Sequence, residues 1–184
     1  MGAGRHKGFG NTKGIKNNLN YIILGGNKMN LMNENIIPYE GLDSFKFGDK
    51  LESIRCMLKK LNIPFNQHMD KKQSIHPELK HEIITINNSI NLFFIDSILF
   101  EIGLENDFNG QLPNCISLGM DLNKAKQIDS NLEYDDDEDA YISTNGYTII
   151  DDIQTQKINY IEIYISKVEN SNEFFKYKWL DRFK

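Results

Sequence analysis

Ser44-Phe45-Lys46-Phe47-Gly48-Asp49-Lys50-Leu51-Glu52-Ser53-Ile54 and, 71 residues on, Cys115-Ile116-Ser117-Leu118-Gly119-Met120-Asp121-Leu122-Asn123-Lys124-Ala125 carry one pattern twice. Phe45 meets Ile116, Phe47 meets Leu118, Gly48 meets Gly119 and Leu51 meets Leu122. Each copy is a short alternating apolar run, then glycine, then the start of a helical pattern. Glycine suits the turn because it adopts backbone angles that other residues resist. Each copy is followed by the same order of elements, so the core reads as a duplicated unit.

Outward from the first copy, Pro38 and Gly41 mark the loop leading in, and Phe45 to Phe47 reads as a strand. Asp49 is expected to cap a helix, with Glu52 three residues on. Leu51, Ile54, Leu58 and Leu61 fall at helical spacing on one face, and Asn62 and Pro64 end it. Residues 65 to 80 are polar and hold His68 and His76, with His81 next in the chain. Three strands follow. Ile84 and Ile86 share one face. Asn87-Asn88-Ser89 is a turn, and Ile90, Leu92 and Phe94 alternate with Asn91, Phe93 and Ile95. After Asp96-Ser97, the residues Ile98, Phe100, Ile102 and Leu104 are expected on one side.

Outward from the second copy, Ile116 to Leu118 repeats the strand. Asp121 caps a helix with Leu122, Ala125, Ile128 and Leu132 along one side. Asn145-Gly146 is a hairpin signal between Tyr141-Ile142 and Tyr147 to Ile150. Ile158 to Ile165 is the clearest strand, with Ile161, Ile163 and Ile165 opposite Tyr160, Glu162 and Tyr164. The aromatic and basic end, Phe174 to Trp179, is expected over the sheet edge. The fold class is therefore α+β. An antiparallel sheet buries one face under two helices, in two similar strand-Gly-helix-strands halves, about 36–110 and 111–184.

The chain has 184 residues, 40% of them hydrophobic, enough for one domain over 31–184. Residues 1–30 hold seven of the thirteen glycines and five basic residues with no acid, and read as a flexible basic tail. The chain holds 21 basic and 26 acidic residues, so 31–184 holds 16 against 26 and carries −10. An acidic body repels phosphates, which argues against nucleic acid as its ligand. No apolar run approaches a membrane span and no signal peptide is evident, so a cytoplasmic location is expected. Leu24-Gly25-Gly26-Asn27-Lys28-Met29 can be encoded as TTA-GGA-GGT-AAT-AAA-ATG, which contains a ribosome-binding sequence. Met29 or Met32 is then a candidate start, and 1–28 translated upstream DNA.

Tyr134-Asp135-Asp136-Asp137-Glu138-Asp139-Ala140-Tyr141 rises above the scaffold, with five consecutive acids between tyrosines. Asp151 and Asp152 follow nearby. A solvated loop is the plain reading of such a run. Calcium-loop spacing is absent. The third reading is a docking surface for a basic partner, with Tyr134 and Tyr141 as anchors. The candidate partner-binding residues are Tyr134, Asp135, Asp136, Asp137, Glu138, Asp139, Tyr141, Asp151 and Asp152. His68, His76 and His81 fit no metal-ligand spacing, and Cys56 and Cys115 have no CxxC or Cys/His partner. No metal, cofactor or catalytic residue is expected. An enzyme with a cryptic site, or a structural or calcium-binding module, stays open as an alternative.

Phe45-Lys46-Phe47-Gly48, Leu92-Phe93-Phe94-Ile95-Asp96-Ser97-Ile98-Leu99-Phe100-Glu101-Ile102, Leu112-Pro113-Asn114-Cys115-Ile116-Ser117-Leu118-Gly119-Met120 and the acidic 134–152 region together resemble another group. Residues 36–184 are similar to the immunity proteins of bacterial contact-dependent growth-inhibition and polymorphic toxin systems. The resemblance implies a cytosolic inhibitor that binds one cognate toxin domain, often a nuclease, and blocks it. The basic Gly-rich tail resembles the C-terminus of such a toxin.

Overall fold

The computed structural model describes residues 22–24, 27–69, 79–166 and 174–183. Residues 1–21 of the Gly-rich tail, and His76, lie outside the described residues. Within the expected tail, β1 (Ile22–Leu24) and β2 (Asn27–Met29) pair as an antiparallel hairpin. β3 (Ile36–Ile37) and β4 (Gly41–Leu42) form a second small hairpin. Then come α1 (Leu51–Lys60), β5 (Phe65–Met69), β6 (His81–Ile86), β7 (Ile90–Ile95) and β8 (Ile98–Glu105). The second half supplies α2 (Leu122–Ile128), β9 (Leu132–Asp135), β10 (Ala140–Ser143), β11 (Tyr147–Asp152) and β12 (Lys157–Tyr164).

β5 to β12 form one eight-stranded antiparallel sheet in the order β5-β6-β7-β8-β12-β11-β10-β9. Each half is a helix followed by a four-stranded meander. The halves meet along their last strands, β8 against β12, with Ile102 opposite Ile163 and Leu104 opposite Ile161. The fold is thus α+β, with two α-helices among the described residues lying on one face of an antiparallel sheet. The core between them holds Leu51, Ile54 and Leu58 of α1, Leu122 and Ala125 of α2, and a carpet of isoleucines and leucines from the central strands.

The echo around Gly48 and Gly119 is repeated bond for bond in the backbone. Gly48 N donates to Leu99 O (2.8 Å), Leu99 N to Asp49 O (3.0 Å) and Leu51 N to Ser97 O (2.9 Å). In the second half Gly119 N donates to Ile158 O (2.7 Å), Ile158 N to Met120 O (2.9 Å) and Leu122 N to Gln156 O (2.9 Å). Both glycines have positive φ, +96° and +76°. Nothing lies within 4 Å of a Cβ built at Gly119, so there the backbone angle alone demands glycine. The clamp fixes the start of each helix to the final strand of its own meander.

Several local expectations change. Phe45–Phe47 and Ile116–Leu118 are not strands. Each makes one isolated bridge, Gly41 with Lys46 and Gln111 with Ser117, because the chain turns at the glycine before a ladder can extend. Asp49 does not cap α1. Its carboxylate accepts from Lys46 N (2.8 Å) inside the preceding turn, and Lys50 is the N-cap without a side-chain bond. Asp121 does cap α2, accepting from Lys124 N (3.1 Å). That helix stops at Ile128, so Leu132 reaches the core from β9 instead.

Phe65–Met69, in the polar stretch where the sequence pattern shows no strand, is an edge strand. Ile98 and Phe100 leave the side expected to hold them with Ile102 and Leu104, because a bulge at Phe93/Phe94 pairs Phe94 with Leu99 and Phe93 with Glu101. Phe100 therefore joins Ile95, Ile98 and Ile165 in a second cluster away from the helices. Trp179 and Leu180, from a 3₁₀ turn over Lys178–Phe183, close that cluster. The Trp179 ring stacks on Phe174 at 5.6 Å, and its indole N–H donates to Phe174 O (3.1 Å). The aromatic C-terminal stretch thus covers the sheet's second face near Phe100. Ile165 belongs to this cluster and not with Ile161 and Ile163.

Candidate functional site

The acidic run is the turn of the β9–β10 hairpin at one edge of the sheet. Asp135 ends β9 and organises the turn, its Oδ1 accepting from Asp137 N (2.9 Å) and Glu138 N (3.2 Å). Local carboxylate-to-backbone bonds of this kind are what aspartate offers a turn. Asp136, Asp137, Glu138 and Asp139 are exposed. Asp151 and Asp152 end β11. Their strand is registered so that Ile149 faces Tyr141, which brings both aspartates to the same end of the sheet as the acidic turn. Asp152 Oδ1 also holds the next turn, accepting from Gln154 N (3.1 Å), Thr155 N (2.8 Å) and Thr155 Oγ1 (2.9 Å). These bonds depress its carboxyl below the usual range, backbone donation from Thr155 leading. Among the described residues none of the seven acids makes an ion pair.

Tyr134 and Tyr141 are register partners across the hairpin, their rings 5.0 Å apart. Lys126 of α2 places its Nζ 3.9 Å from the Tyr141 ring centre. Tyr134 is half exposed and donates its phenol hydrogen to Asp139. That bond, with neighbouring acids, lifts the phenol to about 12. The structure therefore gathers all nine sequence-derived residues at one end of the second meander.

Three acids, Glu101 and Glu162 on the outward side that alternation gives them, and Glu105, which the sequence does not single out, sit on the sheet's other face. Glu101 of β8 pairs with Tyr164 of β12, Glu162 with Gly103, and Glu105 with Tyr160. Burial holds the Glu101 carboxyl well above its normal range, and repulsion from Glu162 and Glu138 adds to it. Burial and then Glu138 lift Glu162 to about 7. Glu138 is the electrostatic link between this face and the acidic turn. Tyr160 lies over Gly103, where any Cβ would overlap its hydroxyl. Burial first, then Glu162, Glu101 and Glu105, keep that phenol protonated. The hollow beside Glu101, lined by His81, Ile83, Phe93 and Phe100, measures about 80 Å³. Small-molecule pockets run to ~300–1,000 Å³.

A buried polar knot ties α2 to the β10–β11 hairpin. Asp129, 4% exposed, accepts from Ser143 Oγ (2.7 Å), Asn145 Nδ2 (2.9 Å), Tyr147 OH and Asn131 N (2.9 Å). Burial alone would raise its carboxyl. The four donors outweigh it and bring the group to about 2. Asn114 donates to Tyr147 OH (3.2 Å) from the start of the second half. Every partner here is satisfied, so the knot is a structural tether.

His68 lies exposed on β5 and His81 starts β6. Among the described residues no three His, Cys, Asp or Glu side chains are grouped to hold a metal. No helix of the described residues is long and apolar enough to cross a membrane. Comparison with protein-family models, with curated proteins and with solved structures gives no match.

Proposed function

We propose that this chain is a cytoplasmic immunity protein that binds and blocks the active domain of a cognate bacterial toxin, a basic nuclease. The observation that carries the reading is the end of the second meander. Seven acids that make no ion pair among the described residues lie beside a tyrosine pair in which Tyr134 is half exposed. Uncompensated acids repel one another, and that cost is recovered when a positive surface covers them. A nuclease cleft that binds phosphates offers such a surface, and Tyr134 supplies area for an anchor. The acids also guard the β9 edge against strand pairing, a role that needs no partner.

The test uses a toxin domain encoded next to this gene, which the reading requires to exist. Replacing Asp135, Asp136, Asp137, Glu138 and Asp139 with Asn or Gln is expected to slow association about tenfold or more at low salt, with a smaller change in dissociation. Unchanged binding and unchanged protection of cells from the toxin would remove this surface from the interface. A second reading, an enzyme, is favoured by one observation alone, the raised carboxyls of Glu101 and Glu162 beside Tyr160. Turnover abolished by Glu101→Gln would support it over inhibition.

A further inference from the structure

We infer that the free edge of β5 is a self-association surface, on which a second copy of this chain pairs antiparallel and continues the sheet across a twofold axis. The two edges of the sheet are built differently. β9 carries Glu133 and Asp135 and runs into the acidic turn, a charged guard against strand addition. β5 reads Phe65-Asn66-Gln67-His68-Met69, with no Lys, Arg, Asp, Glu or Pro. Its pairing with β6 is regular from Phe65–Ile86 to Met69–Glu82, without a bulge to twist the edge away. Among the described residues β6 is its one strand partner, and Asn66, Gln67, His68 and Met69 are exposed.

The segment is also self-complementary. Centred on Gln67, antiparallel pairing sets Phe65 against Met69 of the second copy, and Asn66 against His68. Partners in an antiparallel pair share a face. Phe65, Gln67 and Met69 share the helix-covered face, because they pair with Ile86, Ile84 and Glu82 on alternate positions. Met69, 57% exposed, would close over the half-buried ring of Phe65, a sulfur–aromatic contact. Asn66 and His68 would meet on the opposite face as a donor–acceptor pair.

Charge selects a second copy at this edge and not at the other. β5 and β9 are the first and eighth strands, so seven spacings of ~4.8 Å put them about 34 Å apart. That exceeds the ~8 Å screening length at physiological salt several times over. Two acidic copies joined at β5 therefore keep their acidic turns at the far ends, where they neither repel nor obstruct each other.

Five residues a side is a small interface, so sedimentation velocity of the full chain is expected to show a monomer at low micromolar concentration and a dimer with Kd about 100 μM. Asn66→Lys with His68→Lys sets like charges opposite each other and is expected to remove the dimer while leaving the circular dichroism spectrum unchanged. In a Cys56→Ser, Cys115→Ser background, Gln67→Cys sits on the axis and is expected to cross-link on oxidation faster than Asn66→Cys, which checks the register even if the lysine variant misfolds. A monomer up to about 1 mM, or equal cross-linking at the two positions, would overturn the proposal. So would dimerisation seen only after deleting residues 1–21, since the edge would then be covered by the chain's own N-terminus.

Discussion

The Tyr160 ring covers Gly103 diagonally across the seam between the two halves. A Cβ at position 103 would sit 2.6 Å from Tyr160 Cζ and overlap the hydroxyl. A glycine in a central strand weakens the strand locally, and an aromatic ring laid over it restores the lost contact.

Gly103→Ala should therefore push the ring off its seat and cost about 1–3 kcal/mol. Urea unfolding measures it. The cost should shrink in a Tyr160→Ala background, since the two positions share one contact and their effects cannot add. Additive losses would mean that the ring is not what Gly103 accommodates.

Stability should peak on the acid side of neutrality. Glu162 sits at about 7 in the fold against an ordinary 4.5, and burial raises Glu101 and Glu34 in the same direction. A raised carboxyl binds its proton more readily folded than unfolded, so stability falls as pH climbs from 4.5 towards 7. Asp129 works oppositely. Lowered to about 2 from 3.8, it contributes fully above 3.8 and loses that contribution as pH falls through its folded value. The urea midpoint should be higher at about pH 5 than at about pH 8, and Glu162→Gln should remove much of that difference. A profile unchanged by the substitution would clear Glu162 of the effect.

The Asp129 knot should behave as a unit. Asp129→Ala strands Ser143, Asn145 and Tyr147 without their acceptor and should cost about 3 kcal/mol. Tyr147→Phe leaves two side-chain donors in place and should cost about 1–1.5 kcal/mol. Thermal unfolding distinguishes them, and equal losses would show that Tyr147 holds the carboxylate alone.

Trp179, the single tryptophan, reports on the C-terminal cap. Buried at 6% exposure and stacked on Phe174, it should emit at shorter wavelength when folded than when unfolded. Deleting residues 174–184 should uncover Phe100, Ile98 and Ile165 and raise binding of a hydrophobic dye. No rise would mean that the second cluster closes without the cap.

The features legible in sequence were those decided within a few residues. Gly48 and Gly119 mark turns because φ is a local quantity, and Asn145-Gly146 marks a hairpin for the same reason. Alternation exposed β6, β7 and β12. β5 was missed because Phe-Asn-Gln-His-Met has neither alternation nor β-branched residues, and it is a strand by virtue of pairing with β6. Phe100 was misassigned because a bulge shifts the alternation without a mark in composition. Asp135 to Asp139 were visible as a run. Glu101 and Glu162 were not, because 61 positions separate them and only the β8–β12 pairing joins them. Asp129 and Ser143 escaped notice likewise, as each is unremarkable until the other is beside it.

The seam itself bears on the molecule's descent. A half expressed alone would present its last strand bare, eight residues long and lined with isoleucine and leucine, and would have to find a mate in solution. Tethering the two units in one polypeptide replaces that bimolecular search with an intramolecular one, so closure no longer depends on concentration. Fusion of a once-homodimeric ancestor would leave this arrangement, after which each copy was free to diverge, one to carry the acids and the other to keep its border neutral.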